Sequence, residues 1–205
     1  NKRWIYVESI FSNQLNNPAI RGVIVNSRDI SDRKMAELKE RVYHDNLIFL
    51  SNSALELLGL SSKEEVFQYI PKKLGVFLDS AVVVVTSYDE EHDQMIIESA
   101  SGTEPFDAQL EKILGKPIKG LVFPVYNHQD RLDRAGSVIT LQEEMLQLGN
   151  SKLTSGMLNR IRRLLKIHKI YNITLARDNK LLGNITILTL NKSIIKFKQI
   201  IEAFL

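Results

Sequence analysis

Few side chains in this sequence are arranged in a pattern that supports catalysis or metal binding. There is no cysteine, which excludes a disulfide, a thiolate metal ligand and a thioether to a chromophore. The sequence has no His-Glu-x-x-His zinc motif and no glycine-rich phosphate loop. The four histidines are far apart, and no two have metal-ligand spacing: His44, His92, His128 and His168. We therefore predict no metal site and no enzymatic activity in this chain.

Carboxylates are concentrated between Asp89 and Asp93, where Glu90 and Glu91 precede His92. Such a group attracts hard cations, but it lacks the spaced oxygen ligands and the glycine of a calcium-binding loop. We interpret it as a solvated turn between two strands.

Two Asn-x-Thr triplets, Asn172 to Thr174 and Asn184 to Thr186, match the pattern for N-glycosylation. Both lie in runs that predict strands, so we interpret the matches as accidental. Polar side chains among apolar neighbours still need hydrogen-bond partners. A solvent-facing side of the strands is the favoured interpretation, and the wall of a ligand pocket is the alternative.

Composition and charge are those of a folded globular protein. Of the 205 residues, 44% are hydrophobic and 25% are charged. The longest apolar run, Ala81 to Val85, is far shorter than the roughly 18 residues of a membrane span, so we expect no membrane contact within this chain. The lack of cysteine, and of a secretory signal at Asn1 to Glu8, favours a cytoplasmic location.

The net charge of +3 makes a polyanionic partner worth considering. Basic residues are densest in one stretch, which contains Arg160, Arg162, Arg163, Lys166, His168 and Lys169. Only Tyr171 accompanies them as an aromatic residue for base stacking. A solvated helix face is the favoured interpretation, and we predict no nucleic-acid partner.

A helix is predicted from Ser31, whose side chain is placed to cap the first free amides. Met35, Leu38 and Val42 follow at spacings of three and four, which gives one narrow apolar stripe. A stripe this narrow is typical of a helix pair rather than of a core helix. We therefore predict a parallel homodimer through these three residues. The stripe stops near Asp45, where we expect a bend as the helix enters a domain.

From Asn46 onward the pattern predicts the order helix, helix, strand, strand, helix, strand, helix, helix, strand, strand, helix. Turn residues place hairpins at Asp89 to Asp93 and at Asp178 and Asn179. The apolar run Ala81 to Val85 indicates a strand in the middle of the sheet. A mixed, mainly antiparallel sheet flanked by helices, an α+β fold, accounts for this order.

Two capping boxes predict where helices begin in this region. One pairs Ser62 with Glu65, and the other pairs Thr140 with Glu143. Pro71 lies inside the first of these helices, so we expect it to kink or split that helix.

Trp4 and Glu8 lie on one strand-like segment, and after a loop with Pro18 a second segment ends in the run Arg28-Asp29-Ile30-Ser31-Asp32-Arg33-Lys34. These residues resemble the C-terminal motif of PAS domains, which commonly ends in Asp-Ile-Thr followed by Arg-Lys. A serine stands here where threonine is usual. The resemblance implies that residues 1–30 are the last two strands of a PAS domain and residues 31–45 a connecting signalling helix.

Three segments carry a second resemblance: Val66 to Leu78 before the Val82 to Tyr88 strand, Lys169 to Thr174, and Lys180 to Leu188 before a final helix. Residues 46–205 resemble a GAF domain of the kind found in archaeal and bacterial sensor histidine kinases. The resemblance implies a GAF-like, mainly antiparallel sheet flanked by helices, preceded by the two-stranded PAS remnant.

The resemblance implies a regulatory sensor module of a two-component signalling protein. Such a module binds a small molecule or a partner, relays the signal through helices at both ends and leaves catalysis to a kinase domain outside this chain. The alternative is a structural dimerisation spacer without a ligand. The cofactor is unknown: a cyclic nucleotide, haem or a metabolite is open, whereas a bilin linked through cysteine is excluded by composition.

In the GAF family the pocket lies between one sheet face and the segments that correspond here to Gly120 to Tyr126 and Thr140 to Leu148. Small-molecule sites are mostly apolar with a few convergent polar groups. The polar stretch from Asn127 to Ser137 is long enough to form a lid. The alternative is that the apolar members of the site simply fill the core. The candidate ligand-binding residues are Phe123, Tyr126, Met145, Asn172 and Thr174.

Overall fold

The computed structural model describes residues 4–78, 81–125, 132–133, 135–141, 155–190 and 198–204. The chain divides into two compact units, Asn1–Ser51 and Asn52–Leu205, here called unit 1 and unit 2. The boundary lies inside one helix, slightly later in the chain than the predicted domain start at residue 46.

Unit 1 contains an antiparallel hairpin of β1 (Val7–Gln14) and β2 (Gly22–Asp29), followed by helix α1 (Ser31–Leu58), which continues into unit 2. The strands pair along their whole length, with Phe11 opposite Val25. Both predicted strands are therefore confirmed. Most apolar side chains of the hairpin are exposed, and a two-stranded sheet is marginally stable by itself in water.

The start of α1 is capped by a different residue from the one predicted. The carboxylate of Asp29 accepts the backbone N–H of Ser31 at 2.8 Å. The Ser31 hydroxyl instead accepts the N–H of Tyr6 at 3.0 Å. The prediction that Ser31 caps the helix is wrong, because its hydroxyl ties the helix start to the segment before β1.

Helix α1 is continuous through Asp45. Met35, Leu38 and Val42 are 50%, 45% and 46% exposed. The apolar stripe that they form is thus at the surface of the described chain, where a partner can reach it.

Unit 2 is built on a six-stranded sheet with the spatial order β5-β4-β3-β8-β7-β6. Its strands are β3 (Ala81–Asp89), β4 (Gln94–Ser101), β5 (Val122–Pro124), β6 (Val138–Leu141), β7 (Lys169–Arg177) and β8 (Lys180–Thr189). All pairings among these described strands are antiparallel, so the predicted mixed character is wrong. The inner position of β3 confirms what its valine run predicts.

Strand β6 occupies residues at which the sequence predicts a helix start. Thr140 pairs with Tyr171 of β7. The capping box at Thr140 is therefore wrong: the β-branched residues Val138 to Thr140 pair with the open edge of β7, and this long-range pairing outweighs a local capping pattern. The rest of that predicted helix, through Leu148, lies outside the described residues.

Unit 2 also contains helices α2 (Lys63–Leu78), α3 (Asp107–Leu114), α4 (Ser155–Leu165) and α5 (Lys198–Phe204). The capping box of α2 is confirmed: Glu65 N–H donates to Ser62 Oγ at 3.1 Å, and Glu65 Oε2 accepts Ser62 N–H at 3.2 Å. Within the described ranges, no helix has the length and apolar character needed to cross a membrane.

Helix α2 continues through Pro71. Proline lacks the N–H that would bond to the Phe67 carbonyl one turn earlier. The hydroxyl of Ser99 in β4 donates to this carbonyl, and the Ser101 hydroxyl donates to the Pro71 carbonyl. The predicted split is wrong because the strand beneath the helix supplies the missing donor. Gly75 allows this approach, since a Cβ there would lie 2.6 Å from Ser101 Oγ.

Replacing Ser99 with alanine should destabilise the protein by about 1 kcal/mol, because the Phe67 carbonyl loses its donor. Urea unfolding measures the change. In a Pro71→Ala background the restored backbone N–H can bond to Phe67, so the cost of Ser99→Ala should fall towards zero. An equal cost in both backgrounds would contradict the role given to Ser99.

Candidate functional site

Different helices cover the two faces of the unit 2 sheet. Side chains alternate along a strand, so even-numbered residues of β3 point to one face and odd-numbered residues to the other. Val82 packs with Leu110 of α3 and Leu165 of α4, and we call this side the α3–α4 face. Val85 lies opposite Ser99, whose hydroxyl bonds to α2, and we call that side the α2 face.

The centre of the α2 face is an aliphatic core. Its side chains lie opposite one another on three neighbouring strands. Each is completely buried: Val83, Val85, Ile173, Ile185 and Ile187. Burial of this kind supplies most of the free energy that holds the sheet to its helices.

The α3–α4 face carries two apolar clusters. Val82, Leu110 and Leu165 form the centre of the first, near the start of β3. The second lies near the other end of β3 and contains Met95, Val125 and Leu181, with Tyr88, Phe123 and Leu132 packed against them.

A group of uncharged polar residues lies between these clusters. In the strand register Thr86 is opposite Asn184, Asn184 is opposite Thr174, and Thr186 is opposite Asn172. Residues directly opposite one another project to the same face of a sheet. We call this group the polar belt; it consists of Thr86, Asn172, Thr174, Asn184 and Thr186.

Thr86, Asn172, Thr174 and Asn184 are buried and Thr186 is half-buried, although polar groups are costly to bury without partners. Thr174 is 1% exposed and Asn172 is 8% exposed, with Asn184 at 6%. The favoured sequence interpretation, in which these residues face solvent, is therefore wrong. Period-two alternation cannot distinguish an exposed face from a covered one, and here both faces of the strands are covered.

Hydrogen bonds satisfy part of the polar belt. The carboxamide of Asn172 donates to Thr186 Oγ1 at 3.0 Å. The Thr86 hydroxyl accepts the backbone N–H of Asn184 at 3.1 Å and donates to its carbonyl at 3.3 Å. Asn172 has two amide hydrogens and one carbonyl oxygen. Within the part of the chain that the structure describes, one amide hydrogen and the carbonyl oxygen of Asn172 have no partner beyond this bond to Thr186.

The structure brings together only part of the predicted ligand site. Asn172 and Thr174 are neighbours on the same face of β7. Phe123 belongs to the second apolar cluster on β5. Strands β4, β3 and β8 lie between β5 and β7, and the four inter-strand spacings of about 4.8 Å correspond to roughly 19 Å. Tyr126 and Met145 lie outside the described residues, as does most of the proposed lid.

Sequence reasoning missed Thr86 as a member of this site. The signal is the alternation along β3, because Thr86 follows Val82 and Val84 on the same face. A threonine that continues an otherwise aliphatic row introduces a polar group at a buried position, and such a group needs a partner.

A separate open cleft of about 270 Å³ is lined by Lys63, Glu64, Phe67, Gln68, Glu98 and Lys119. Glu98 is the additional residue of a bulge in β4, because Val85 pairs with Ser99 while Thr86 pairs with Ile97. Its carboxylate accepts the Ser87 hydroxyl at 2.5 Å. The cleft is therefore polar and lies on the α2 face, away from the polar belt.

The acidic stretch forms the turn between β3 and β4. Asp89 Oδ2 contacts the ring nitrogen of His92 at 2.9 Å and accepts from Gln94 at 3.0 Å. These bonds lower the pKa of Asp89, with the Gln94 bond contributing most. Within the described residues, no group of three potential ligands is placed to hold a metal ion.

Tyr88 donates its hydroxyl to Asp93 at 2.8 Å, and this bond, followed by burial, raises the pKa of Tyr88 from 10.0 to about 12. Because the folded state favours the neutral phenol, the resulting stabilisation is present below pH 10 and is lost as pH rises towards 12.

Asp93→Asn should lower the pKa of Tyr88, because it removes the carboxylate that accepts the hydroxyl. This pKa is measured by titrating tyrosinate absorbance in the wild-type and Asp93→Asn proteins and subtracting the titration of the same protein with Tyr88→Phe. An unchanged titration midpoint for Tyr88 would refute the role of Asp93.

No protein-family model matches this sequence, and no curated protein sequence matches it significantly. Solved structures with similar folds do exist. The chromophore-binding domain of Stigmatella aurantiaca bacteriophytochrome is 11% identical and has a TM-score of 0.56; the match covers 98% of this chain and 67% of that one.

Two GAF domains are also similar in structure. One, from a phosphoenolpyruvate-protein phosphotransferase of Coxiella burnetii, is 16% identical, with a TM-score of 0.52 and coverage of 78% of this chain and 84% of that one. The other, a phycocyanobilin-bound GAF domain from a cyanobacterial phytochrome, is 10% identical, with a TM-score of 0.53 and coverage of 78% and 90%. The chain therefore has an α+β, GAF-like fold, as the sequence predicts.

Proposed function

We propose that this chain is a regulatory sensor module in which the polar belt contributes to a small-molecule site. The observation that carries the proposal is the belt itself: five uncharged polar residues, flanked by apolar clusters, on one face of a GAF-like sheet. A few converging polar groups in apolar surroundings are typical of ligand sites. The amide hydrogen and the carbonyl oxygen of Asn172 that have no partner among the described residues favour a ligand that forms hydrogen bonds.

Native mass spectrometry of the purified chain tests this site. We expect a bound small molecule that is lost when Asn172 is replaced by leucine. Thr189→Val is the matched control, because Thr189 is a buried threonine of the same sheet on the opposite face. A ligand that stays bound to the Asn172→Leu variant would mean that the site lies elsewhere. A wild-type chain without any bound molecule would favour the structural dimerisation spacer.

We propose further that the module belongs to a cytoplasmic two-component histidine kinase, with the kinase domain outside this chain. The run from Arg28 to Lys34 supports a PAS remnant before the GAF-like unit. The hairpin and the following helix have the order that such a remnant requires. The purified chain should accordingly transfer no phosphate from ATP to itself.

The proposed partner is a second copy of the chain, bound through Met35, Leu38 and Val42. The stripe runs from residue 35 to residue 42, which is just over one heptad, so a weak dimer is expected. Sedimentation should show concentration-dependent association that Leu38→Glu abolishes. Lys39→Glu, an exposed change beside the stripe, should leave association intact. Monomer at every concentration would refute this interface.

A structural dimerisation spacer is the second candidate function. Leu55 and Leu58 of α1 are 67% and 84% exposed, so α1 carries apolar surface beyond the predicted stripe. Extended apolar surface on a helix suits packing against another helix. A dimer without any bound molecule would support this function over the sensor.

A further inference from the structure

Three helices of unit 2 meet around Tyr69 of α2. Its hydroxyl donates to the backbone carbonyl of Ser53 in α1 at 3.4 Å. Its ring stacks with that of Phe204 in α5, with centroids 6.5 Å apart and planes 23° apart. Tyr69 therefore contacts both the first helix and the last described helix of the unit.

An ion pair reinforces the α1 side of this group. Lys73, one turn after Tyr69, donates to both carboxylate oxygens of Glu56 in α1 at 2.7 Å. The hydrogen bond to Lys73 lowers the pKa of Glu56, and the same bond raises the pKa of Lys73. The Lys73 ammonium also lies 5.8 Å from the centre of the Tyr69 ring. The positions of α1 and Tyr69 are thereby linked.

Ser53 adds an unusual feature to the contact. Ser53 is 1% exposed, and its hydroxyl has no hydrogen-bond partner among the described residues. Leaving a buried hydroxyl unpaired is unfavourable. The bond from Tyr69 to the Ser53 carbonyl is long for an O–H donor. The Ser53 hydroxyl belongs to the same residue as this carbonyl, so it is a second potential acceptor for Tyr69.

We propose that Tyr69 is a positioning residue that couples the position of α1 to that of α5. When α1 shifts, the hydrogen bond from the Tyr69 hydroxyl to Ser53 changes the position of the Tyr69 side chain. The ring then changes its stacking contact with Phe204. The inference rests on the proposed function, in which a signal passes through helices at both ends of the unit. It assigns that relay to one side chain that contacts both helices.

Hydrogen–deuterium exchange of the whole chain tests the coupling without any ligand. Glu56→Gln weakens the ion pair on α1 and should raise exchange in α5 (Lys198–Phe204) by two-fold or more. In a Tyr69→Leu background the same substitution should leave α5 exchange unchanged. Leu55→Ala, an exposed change on α1 outside the group, should have no effect on α5.

Coupling is reciprocal, so Phe204→Leu should raise exchange at residues 53–58 of α1 and should do so only when Tyr69 is present. Strand β8 reports global unfolding, and an equal rise in β8 would overturn the inference. Unchanged hydrogen exchange in α5 after Glu56→Gln would also overturn the inference, even if native mass spectrometry finds a bound ligand that supports the sensor. Coupling between α1 and α5 in a chain for which native mass spectrometry finds no bound molecule would support the inference and favour the spacer over the sensor.

Discussion

Replacing Gly183 with alanine should destabilise unit 2 by about 3 kcal/mol or more, because the new methyl group has no space. A Cβ at this position in β8 would lie 1.9 Å from the Thr86 carbonyl oxygen and 3.2 Å from Ser87 Cα. Both contacts are with backbone atoms of β3, which cannot rotate away as the end of a side chain can. Strand β8 would have to separate from the middle of the sheet.

Urea unfolding measures the free energy of unfolding of Gly183→Ala, with Leu182→Ala as the control variant. Leu182 precedes Gly183 and is 49% exposed, so its truncation should cost under about 1 kcal/mol. Wild-type stability in Gly183→Ala would mean that the two strands do not approach as closely as described.

Replacing Thr86 with valine should cost about 2 kcal/mol, since it removes a hydroxyl that both accepts from and donates to Asn184. The backbone N–H and carbonyl of Asn184 would each lose the Thr86 hydroxyl as a hydrogen-bond partner in the buried middle of the sheet. Valine has nearly the same shape as threonine, so packing changes little and the missing hydrogen bonds dominate.

Thr86→Ser serves as the control for this prediction. It keeps the hydroxyl and deletes a methyl group, so it should cost less than Thr86→Val although it removes more apolar volume. A valine variant more stable than the serine variant would contradict the hydrogen-bonded role of Thr86.

Local signals in the sequence predict most elements of the fold. The capping box at Ser62 and Glu65 forms as expected, because both partners lie within one turn. Asp178 and Asn179 make the turn between β7 and β8 with positive φ angles of 51° and 58°, which these residue types tolerate better than most.

The errors arise where a distant segment changes the local preference. Pro71 remains inside a helix because Ser99, on a strand, supplies a donor that the local sequence lacks. Thr140 joins a strand because the edge of β7 is available to it. Neither partner can be identified from the periodicity of the segment that it changes.

The candidate site could be predicted only in part for a related reason. The side chains of Asn172 and Thr174 are polar in sequence, but their burial depends on what covers the α3–α4 face. The separation of Phe123 from them follows from the strand order, which places β4, β3 and β8 between β5 and β7. Strand order is set by pairing across the whole chain and not by any single segment.

The lengths of the outer strands have a consequence for handling the protein at high concentration. Among the described residues, the unit 2 sheet ends in strands of three and four residues, β5 and β6, which offer few backbone groups for another chain to pair with. The hairpin strands β1 and β2 have eight residues each, and their apolar side chains are largely exposed. Long exposed edges promote aggregation through strand addition. Aggregation should therefore begin at the hairpin, and a proline or lysine placed on its outer edge would improve solubility without altering the larger sheet.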